Sequence, residues 1–379
     1  MVKSRKNGGI GMKDSFIINN NTDFSFDPAV FVYEEGYYII FVTPQKGIGW
    51  VEIDGEEYLE KTVGGLIQSE KLVHKILVPH EVLDKSQKYT VCFAAVAARL
   101  PYFPKTSPIQ SKTFSFKSPA GKKDLNVYHL CDTHTRITPP ARACEYFGDE
   151  LDLIIMNGDI PNHSGSVEML TKIHELCEKT AHGSIPIVFS RGNHDTRGEA
   201  ALDFIDYTPN KDGDFFYTVR FSNVWAVILD CGEDKPDSNV EYGGMICFEP
   251  YRKKQTEFLK KLNETKPYLA PGIDHRIAIC HIPLYSSWNL FAKDIYAQWL
   301  DELNAMGLDL MLCGHDHQTL YHPDGKDTGF GKMDFPIIIG GTMASHNDYH
   351  GTALKFTSDS ISFEFTDSDK NVLEKGKIK

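Results

Sequence analysis

Between about residue 15 and residue 118, short apolar stretches with period-two alternation are separated by turn residues. They read FIINN, VFVYEEGYYIIFVTP, GWVEIDGEEYLE, KLVHKILVP, KYTVCFAAVAA and SKTFSFKS, and no long amphipathic helix pattern interrupts them. Strands at this spacing predict a small antiparallel sandwich. We therefore predict an N-terminal all-β sandwich domain at residues 15–120.

The pattern changes at Asn126, where apolar runs begin to alternate with helical stretches. The runs read as buried strands: NVYHLCD, LDLIIMNGD, SIPIVFSRGNHD, NVWAVILD, RIAICHIPLY, LDLMLCGHDH and FPIIIGGTM. Helices are predicted near 167–183, 251–262 and 292–306, and a closing hairpin in TALKFTSDSISFEFTDSD. Strand and helix alternation predicts an α/β domain, which we place at residues 125–370 after a polar linker, SPAGKKD.

Composition narrows the function classes. A chain of 379 residues with 41% hydrophobic content can bury one large core, or a large core and a smaller one. Its net charge of −12 argues against nucleic acid as the main partner. No apolar run approaches the roughly 20 residues of a membrane span. The basic N-terminus lacks the apolar core of a signal peptide, and Met12 is an alternative start. The eight cysteines form no CxxC pair, which is typical of a protein in a reducing compartment. Their side chains are expected to be buried in the protein. These features predict a cytoplasmic protein with no membrane partner.

Motifs rich in Asp, His and Asn stand at or just after the carboxyl ends of the core runs. They are Asp132-Thr133-His134, Gly158-Asp159, Gly192-Asn193-His194-Asp195, His281-Ile282-Pro283 and Gly314-His315-Asp316-His317. Loops converge at this edge of an open α/β sheet, so motifs distant in sequence meet there. Carboxylates, imidazoles and an amide oxygen suit divalent metals. Two ions about 3.5–4 Å apart need a bridging ligand, for which Asp159 is the natural candidate.

The ordered set D-x-H, G-D, G-N-H-D, H-x-P and G-H-x-H resembles the calcineurin-like metallophosphoesterase family, over Asp132 to His317. The family fold is a two-sheet α/β/β/α sandwich. The resemblance implies a phosphoric ester hydrolase with a dinuclear metal centre, in which a metal-bound hydroxide attacks phosphorus without a phosphoenzyme. It also implies a division of the ligands: one metal held by Asp132, His134 and His317, the other by Asn193, His281 and His315, with Asp159 bridging.

Three further residues follow from the same resemblance. His194 would stand free of the metals and protonate the leaving-group oxygen, and Asp195 would orient that imidazole. Arg191 directly precedes the G-N-H-D motif, as an arginine does in the family's Ser/Thr protein phosphatases. It is expected either to contact the substrate phosphate or to hold the loop through a salt bridge. Those phosphatases end the motif in Glu, whereas this chain has Asp195.

The N-terminal β region followed by a catalytic domain is similar to the layout of purple acid phosphatases, which carry a fibronectin-like domain first. The ligands differ. Asn162 stands where their iron-binding tyrosine lies, and His134 stands where their first motif has Gly. A tyrosinate-bound ferric ion is therefore not expected. The predicted cofactors are two divalent transition-metal ions, with Mn, Fe, Zn, Co and Ni all open.

The motifs do not separate phosphomonoester from phosphodiester substrates, because the metals and His194 serve both. A phosphorylated substrate of unspecified type is the predicted partner. The alternative is a non-catalytic metal-binding interaction module on the same fold. Retention of His194 and of all the predicted ligands favours the enzyme. A partner-binding role for the N-terminal region is compatible with either function.

Overall fold

A computed structural model describes residues 24–285, 287–323 and 327–379; the predicted stretch FIINN and Met12 lie outside these residues. The strands, in chain order, are β1 (Ala29–Tyr33), β2 (Gly36–Ile53), β3 (Glu56–Leu59), β4 (Lys71–Pro79), β5 (Lys88–Ala98), β6 (Lys105–Thr106), β7 (Gln110–Ser115), β8 (Leu125–Leu130), β9 (Leu153–Asn157), β10 (Ile187–Ser190), β11 (Tyr217–Phe221), β12 (Val224–Leu229), β13 (His275–Cys280), β14 (Leu310–Cys313), β15 (Gln318–His322), β16 (Ile337–Gly341), β17 (Gly351–Phe356), β18 (Ile361–Thr366) and β19 (Val372–Lys377).

The α-helices are α1 (His80–Ser86), α2 (Thr138–Cys144), α3 (Val167–Ala181), α4 (Phe204–Tyr207), α5 (Phe248–Thr265) and α6 (Lys293–Met306). Short 3₁₀ helices occupy Glu145–Glu150, His194–Thr196, Ala201–Asp203, Val240–Tyr242, Pro267–Leu269 and Ser287–Ala292. Within the described part of the chain, none of the helices combines the length and the apolar character that a bilayer crossing requires.

Two sheets form the centre of the molecule. The 13-stranded first sheet runs β19-β18-β17-β8-β9-β10-β1-β2-β5-β6, with β3 and β4 paired to β2 and β7 to β5. The 6-stranded second sheet runs β11-β12-β13-β14-β16-β15. Strands β8, β9 and β10 are parallel to one another, as are β12, β13, β14 and β16. Their carboxyl ends therefore lie along one edge of each sheet, as the motif positions predicted.

The layers follow from which side chains each strand buries. One core cluster joins the facing sides of the two sheets, for example Val127 and Ile155 with Ala226 and Ile277. A second cluster packs the outer face of the first sheet against α3, and a third packs the outer face of the second sheet against α5 and α6. Together these layers form the predicted α/β/β/α sandwich.

The predicted N-terminal region is rich in strands, but it does not stand apart from the first sheet. Strand β1 pairs in parallel with β10, where Phe31 is opposite Ile187. Val30 and Val32 point into the core between the sheets, whereas Ala29 and Phe31 point into the core beneath α3. A strand buried on both faces needs apolar residues at consecutive positions, which explains the run AVFVY. The division at residues 15–120 and 125–370, and a fibronectin-like character for the first part, stay predictions.

Most predicted elements are present. The three predicted helices correspond to α3, α5 and α6, and the closing hairpin to β17 and β18. Helix α3 ends at Ala181 with His182 in the left-handed conformation, one residue before the expected stop at Gly183. Strands β6, β11, β15 and β19 were not among the predicted elements; all four lie at sheet edges, and β15 and β19 fully bury none of their side chains. Seven of the cysteines are buried, and Cys247 is exposed, against expectation.

Candidate metal centre

The side chains that the motifs singled out come together where the two sheets meet. Asp132 follows β8, Asp159 follows β9 and Asn193 follows β10, all in the first sheet. His281 directly follows β13 of the second sheet, and His315 and His317 follow β14. With His134, which also follows β8, the first sheet contributes four of the seven predicted ligands and the second sheet three. The contact between the sheets brings together residues up to 185 positions apart, counted from Asp132 to His317.

Three overlapping groups of ligand atoms lie close enough to hold a metal ion, each with its atoms within 4.8 Å of one another. The groups are Asp132, His134 and His317; His134, Asp159 and His194; and Asp159, His281 and His315. The first and third match the predicted division of ligands, and Asn193 adds an amide oxygen 3.1 Å from Nδ1 of His315. The middle group shares His134 with the first group and Asp159 with the third.

Asp159 occupies the centre of this arrangement. Its Oδ2 lies 3.2 Å from Nε2 of His281, 3.9 Å from Nε2 of His134 and 4.0 Å from Nε2 of His194. Its other oxygen, Oδ1, accepts a hydrogen bond of 2.9 Å from the backbone N–H of His194. Oδ1 is therefore anchored to the loop that carries His194, and Oδ2 faces imidazoles contributed by both sheets.

The backbone is strained where the predicted ligands lie. Asp132, His134, Asp159, His315 and His317 all have φ between 44° and 70°, a region that residues with a Cβ rarely adopt. Such conformations persist where the surrounding structure enforces them, and they concentrate at functional sites.

The glycines of the motifs serve two purposes. Gly158 has φ of 79°, so it makes the sharp turn that the sequence predicted. Gly192 lies outside the left-handed region, but a Cβ there would stand 2.2 Å from Oδ1 of Asp159. Close approach, not a turn, therefore requires glycine at position 192.

Hydrogen bonds to the backbone orient the buried ligands. Nδ1 of His281 donates to the carbonyl oxygen of Asn157 at 2.6 Å, which leaves Nε2 to face the carboxylates. The hydroxyl of Tyr349 accepts from the N–H of Cys131 and donates to its carbonyl, at 2.9 Å each. It thereby fixes the residue before Asp132. Fixed orientation of this kind is typical of metal ligands and their supporting residues.

The protein groups fit a cation in chemistry as well as in geometry. Oδ2 of Asp159 and Nε2 of His281 are buried 3.2 Å apart, and neither atom makes a well-aligned hydrogen bond among the described residues. Burial lowers the pKa of His281, but Asp159 and Asp132 outweigh it and raise that pKa to about 10. Burial raises the pKa of Asp132 to about 7 and lowers that of His134 and His315 to about 4. Buried carboxylates that hold a proton on a neighbouring imidazole are groups that a divalent ion would satisfy.

Asn162 orients two of the predicted residues. Its backbone carbonyl accepts a hydrogen bond of 2.8 Å from Nδ1 of His194, so Nε2 of that imidazole faces outward. Its side-chain oxygen lies 3.2 Å from Nδ1 of His134. The sequence marked Asn162 only as the residue that replaces a tyrosine. Its contacts show that it supports a predicted ligand and the predicted proton donor together.

Asp195 does not make the predicted contact with the His194 imidazole. Its Oδ2 accepts hydrogen bonds from the N–H groups of Gly192 and Asp159, at 2.7 and 3.1 Å. Its Oδ1 has no hydrogen-bond partner in the described part of the chain. Burial raises the pKa of Asp195 to about 8. This carboxyl holds the two loops together, and the carbonyl of Asn162 orients the imidazole instead.

Arg191 is engaged by a carboxylate. Its guanidinium contacts Oδ2 of Asp230 through Nε at 2.8 Å and Nη2 at 2.6 Å, and it stacks on the Phe215 ring at 4.1 Å. Only 11% of the side chain is exposed. These contacts correspond to the salt-bridge alternative, and a phosphate-binding role for Arg191 stays a prediction.

Two residues beside His194 were missed by the sequence reasoning. Nη1 of Arg197 lies 3.2 Å from Nε2 of His194, and its Nε and Nη2 bond to the carboxylate of Glu233 at 2.7 and 2.6 Å. Arg197 stands two positions after the G-N-H-D motif, and a cation so close to the motif was the signal that could have identified it. Glu233 lies in the loop after β12 and belongs to no motif.

Comparison with known proteins shows the family of this chain. A profile of the calcineurin-like phosphoesterase family matches residues 125–319, more than half of the chain. An uncharacterised protein of Bacillus subtilis (strain 168), YpbG, is 28% identical over 263 residues, which cover 67% of this chain and 81% of that protein.

Two solved structures share the fold over most of the chain. A purple acid phosphatase from yellow lupin (Lupinus luteus) seeds has a TM-score of 0.60 at 11% identity, covering 92% of this chain and 73% of that chain. PhoD has a TM-score of 0.55 at 11% identity, with 94% and 93% covered. At this identity the likeness concerns the fold alone.

Proposed function

The chain belongs to the calcineurin-like phosphoesterase family, and from that premise we propose that it hydrolyses phosphoric esters with two divalent metal ions held around Asp159. The observation that carries this proposal is the overlap of three ligand groups, two of which share Asp159. Asp132, His134 and His317 would hold one ion, and Asn193, His281 and His315 the other. When bound, such ions supply a nucleophile from water at neutral pH and neutralise the phosphate charge.

The chain's own residues would hold the substrate and move the proton. His194 faces outward with Nε2, because Nδ1 is tied to the carbonyl of Asn162. A proton on Nε2 would pass to the departing alcohol oxygen as the ester bond breaks. Asp195 would keep the loops of Asp159 and Gly192 in register. Transfer takes place directly to water in this proposal, so no residue of the chain becomes phosphorylated.

The test is hydrolysis of p-nitrophenyl phosphate and bis-p-nitrophenyl phosphate by protein stripped with a chelator and reloaded with Mn, Zn, Co, Ni or Fe. We expect activity to return with at least one metal and to require about two ions per chain. A fully loaded protein inert toward a broad panel of mono- and diesters would instead favour the non-catalytic binding module. A phosphorylated chain trapped by rapid quench would contradict direct transfer to water.

A further inference from the structure

Arg197 is a second arginine beside the G-N-H-D motif, and it differs from Arg191 in what surrounds it. Its side chain is 31% exposed, against 11% for Arg191. Nη1 lies 3.2 Å from Nε2 of His194, the atom proposed to protonate the leaving group. Arg197 is therefore the more exposed of the two arginines, and it contacts the residue proposed as the acid.

Glu233 fixes the guanidinium in that place. The carboxylate is fully buried and binds Nε and Nη2 of Arg197 in a bidentate pair. Tyr242 and Thr196 donate hydroxyl hydrogen bonds of 3.1 Å to the same carboxylate. The buried Arg252 donates to the backbone carbonyl of Glu233 at 2.8 Å, so the loop itself is held. A fork held on one edge presents its remaining nitrogen, Nη1, in a defined direction.

The contact between Arg197 and His194 uses only part of the donor capacity of the guanidinium. Nδ1 of His194 donates to a carbonyl, and a guanidinium only donates, so Nε2 accepts from Nη1 in this arrangement. Nη1 carries two N–H groups, and a contact with a single acceptor atom occupies one of them. The second can donate to an oxygen of a phosphate bound beside His194.

We propose that Arg197 is a substrate-binding residue that donates from Nη1 to a phosphate oxygen and favours phosphomonoesters over phosphodiesters. This inference rests on the proposed function. A monoester carries close to two negative charges at neutral pH, because its second pKa is about 6, whereas a diester carries one. A charge-assisted hydrogen bond and a nearby positive charge therefore stabilise the monoester more.

The charges around Arg197 strengthen this preference. Glu233 pairs directly with the guanidinium, and Oδ1 of Asp234 lies 3.6 Å from Nη2. Lys235 balances Asp234 at 3.5 Å. Without the guanidinium the carboxylate of Glu233 would be left unbalanced beside the phosphate. It would repel a dianion more than a monoanion.

The experiment compares metal-loaded wild type with Arg197→Ala and Arg197→Lys on p-nitrophenyl phosphate and bis-p-nitrophenyl phosphate. For Arg197→Ala we expect kcat/KM to fall about 100-fold on the monoester and about 10-fold or less on the diester. Much of the monoester loss should be a rise in KM. Arg197→Lys keeps the positive charge but loses the planar guanidinium. Its selectivity for the monoester should therefore lie between that of wild type and that of Arg197→Ala.

Arg220→Lys is the matched control, because Arg220 is exposed and, among the described residues, donates to the backbone carbonyls of Ser222, Pro271 and Gly272. Metal content and melting temperature of each variant separate loss of binding from loss of folding. Equal losses on both esters, or no loss, would overturn the inference and leave the proposed function intact. Wild type inactive on both esters with metals loaded would instead contradict the proposed function.

Discussion

The buried side of the candidate metal centre and its exposed rim are built from different parts of the fold. On the buried side, Asp132, Asp159 and His281 follow strand ends and are almost inaccessible to solvent. On the rim, His194 and Arg197 are partly exposed and rely on two loop residues, Asn162 and Glu233. Strand ends at the sheet edges therefore position the side chains that would bind metal, whereas loop residues orient the side chains that would contact substrate.

The two sides also differ in how strongly their groups depend on each other. Buried carboxylates and imidazoles perturb one another's pKa, as Asp159 and Asp132 do for His281. On the rim, the His194 imidazole is oriented by a neutral backbone carbonyl, and Arg197 is held by a bidentate pair with Glu233. Both side chains are partly exposed. Changes on the buried side should therefore disturb metal binding as a whole. Changes on the rim should alter turnover or substrate choice with the metals in place.

The largest expected effect is that of Asp159→Asn. Removing the charge of the predicted bridge should reduce the metal content below about two ions per chain and reduce hydrolysis to the background rate. Metal analysis of the purified variant, reloaded under the same conditions as wild type, gives the measurement. Asp212→Asn, at an exposed carboxylate paired with Lys61, is the control. Full metal content in the Asp159 variant would remove the basis for a bridge at this position.

His194→Ala comes next, and it tests the division between the two sides directly. As the proposed acid, His194 should contribute about 100- to 10,000-fold to kcat, with metal content unchanged. His194 also shares a ligand group with His134 and Asp159, which makes the metal measurement decisive. A large fall in metal content would make His194 a ligand. His182→Asn, at the exposed left-handed residue after α3, controls for loss of an imidazole.

Asn162→Ala should have a smaller effect, and on a different quantity. It removes the side-chain partner of His134 but leaves the backbone carbonyl that orients His194. Loss of a supporting hydrogen bond to a metal ligand typically weakens metal affinity by about 10- to 100-fold. A metal titration against a chromogenic chelator measures this. Unchanged affinity together with a lower kcat would place the function of the side chain at the rim.

The effect that is smallest per step of the experiment, a single pH unit, concerns the buried side. His281 has a pKa raised to about 10 and must lose a proton for Nε2 to bind metal, whereas Asp132, with a pKa of about 7, is largely ionised at pH 8. Metal uptake at pH 8 should therefore release about one proton, and affinity should rise by up to about tenfold per pH unit until pH approaches 10. Calorimetry in buffers with different ionisation enthalpies measures the release. No release between pH 8 and 9 would argue against His281 as a ligand.

Two arginines show where the sequence stopped being informative. Arg191 and Arg197 lie close to the same motif, and the resemblance offered Arg191 either a phosphate contact or a salt bridge, without mention of Arg197. Asp230 binds Arg191 and Glu233 binds Arg197, but those carboxylates are 39 and 36 positions away in the chain. Which arginine points toward the centre depends on the path of the loop after β12. Local spacing does not encode that path.

The N-terminal region is a similar case. Period-two patterns predicted its strands, and β4 and β5 match KLVHKILVP and KYTVCFAAVAA closely. Such a pattern does not specify which strands pair, so the sequence did not indicate that β1 would pair with β10 in the first sheet. The unbroken apolar run of β1, which is buried on both faces, was the available signal.

The hydrophobic pattern of the sequence predicted most of the strands and helices, because burial imposes periodicity, and the motif resemblance predicted the layers and the ligand set. The tertiary structure alone decided which carboxylate meets which cation, how His194 is oriented and where Asp195 forms its hydrogen bonds. Those contacts join loops far apart in the chain. Their geometry follows from the packing of the two sheets and not from any local pattern.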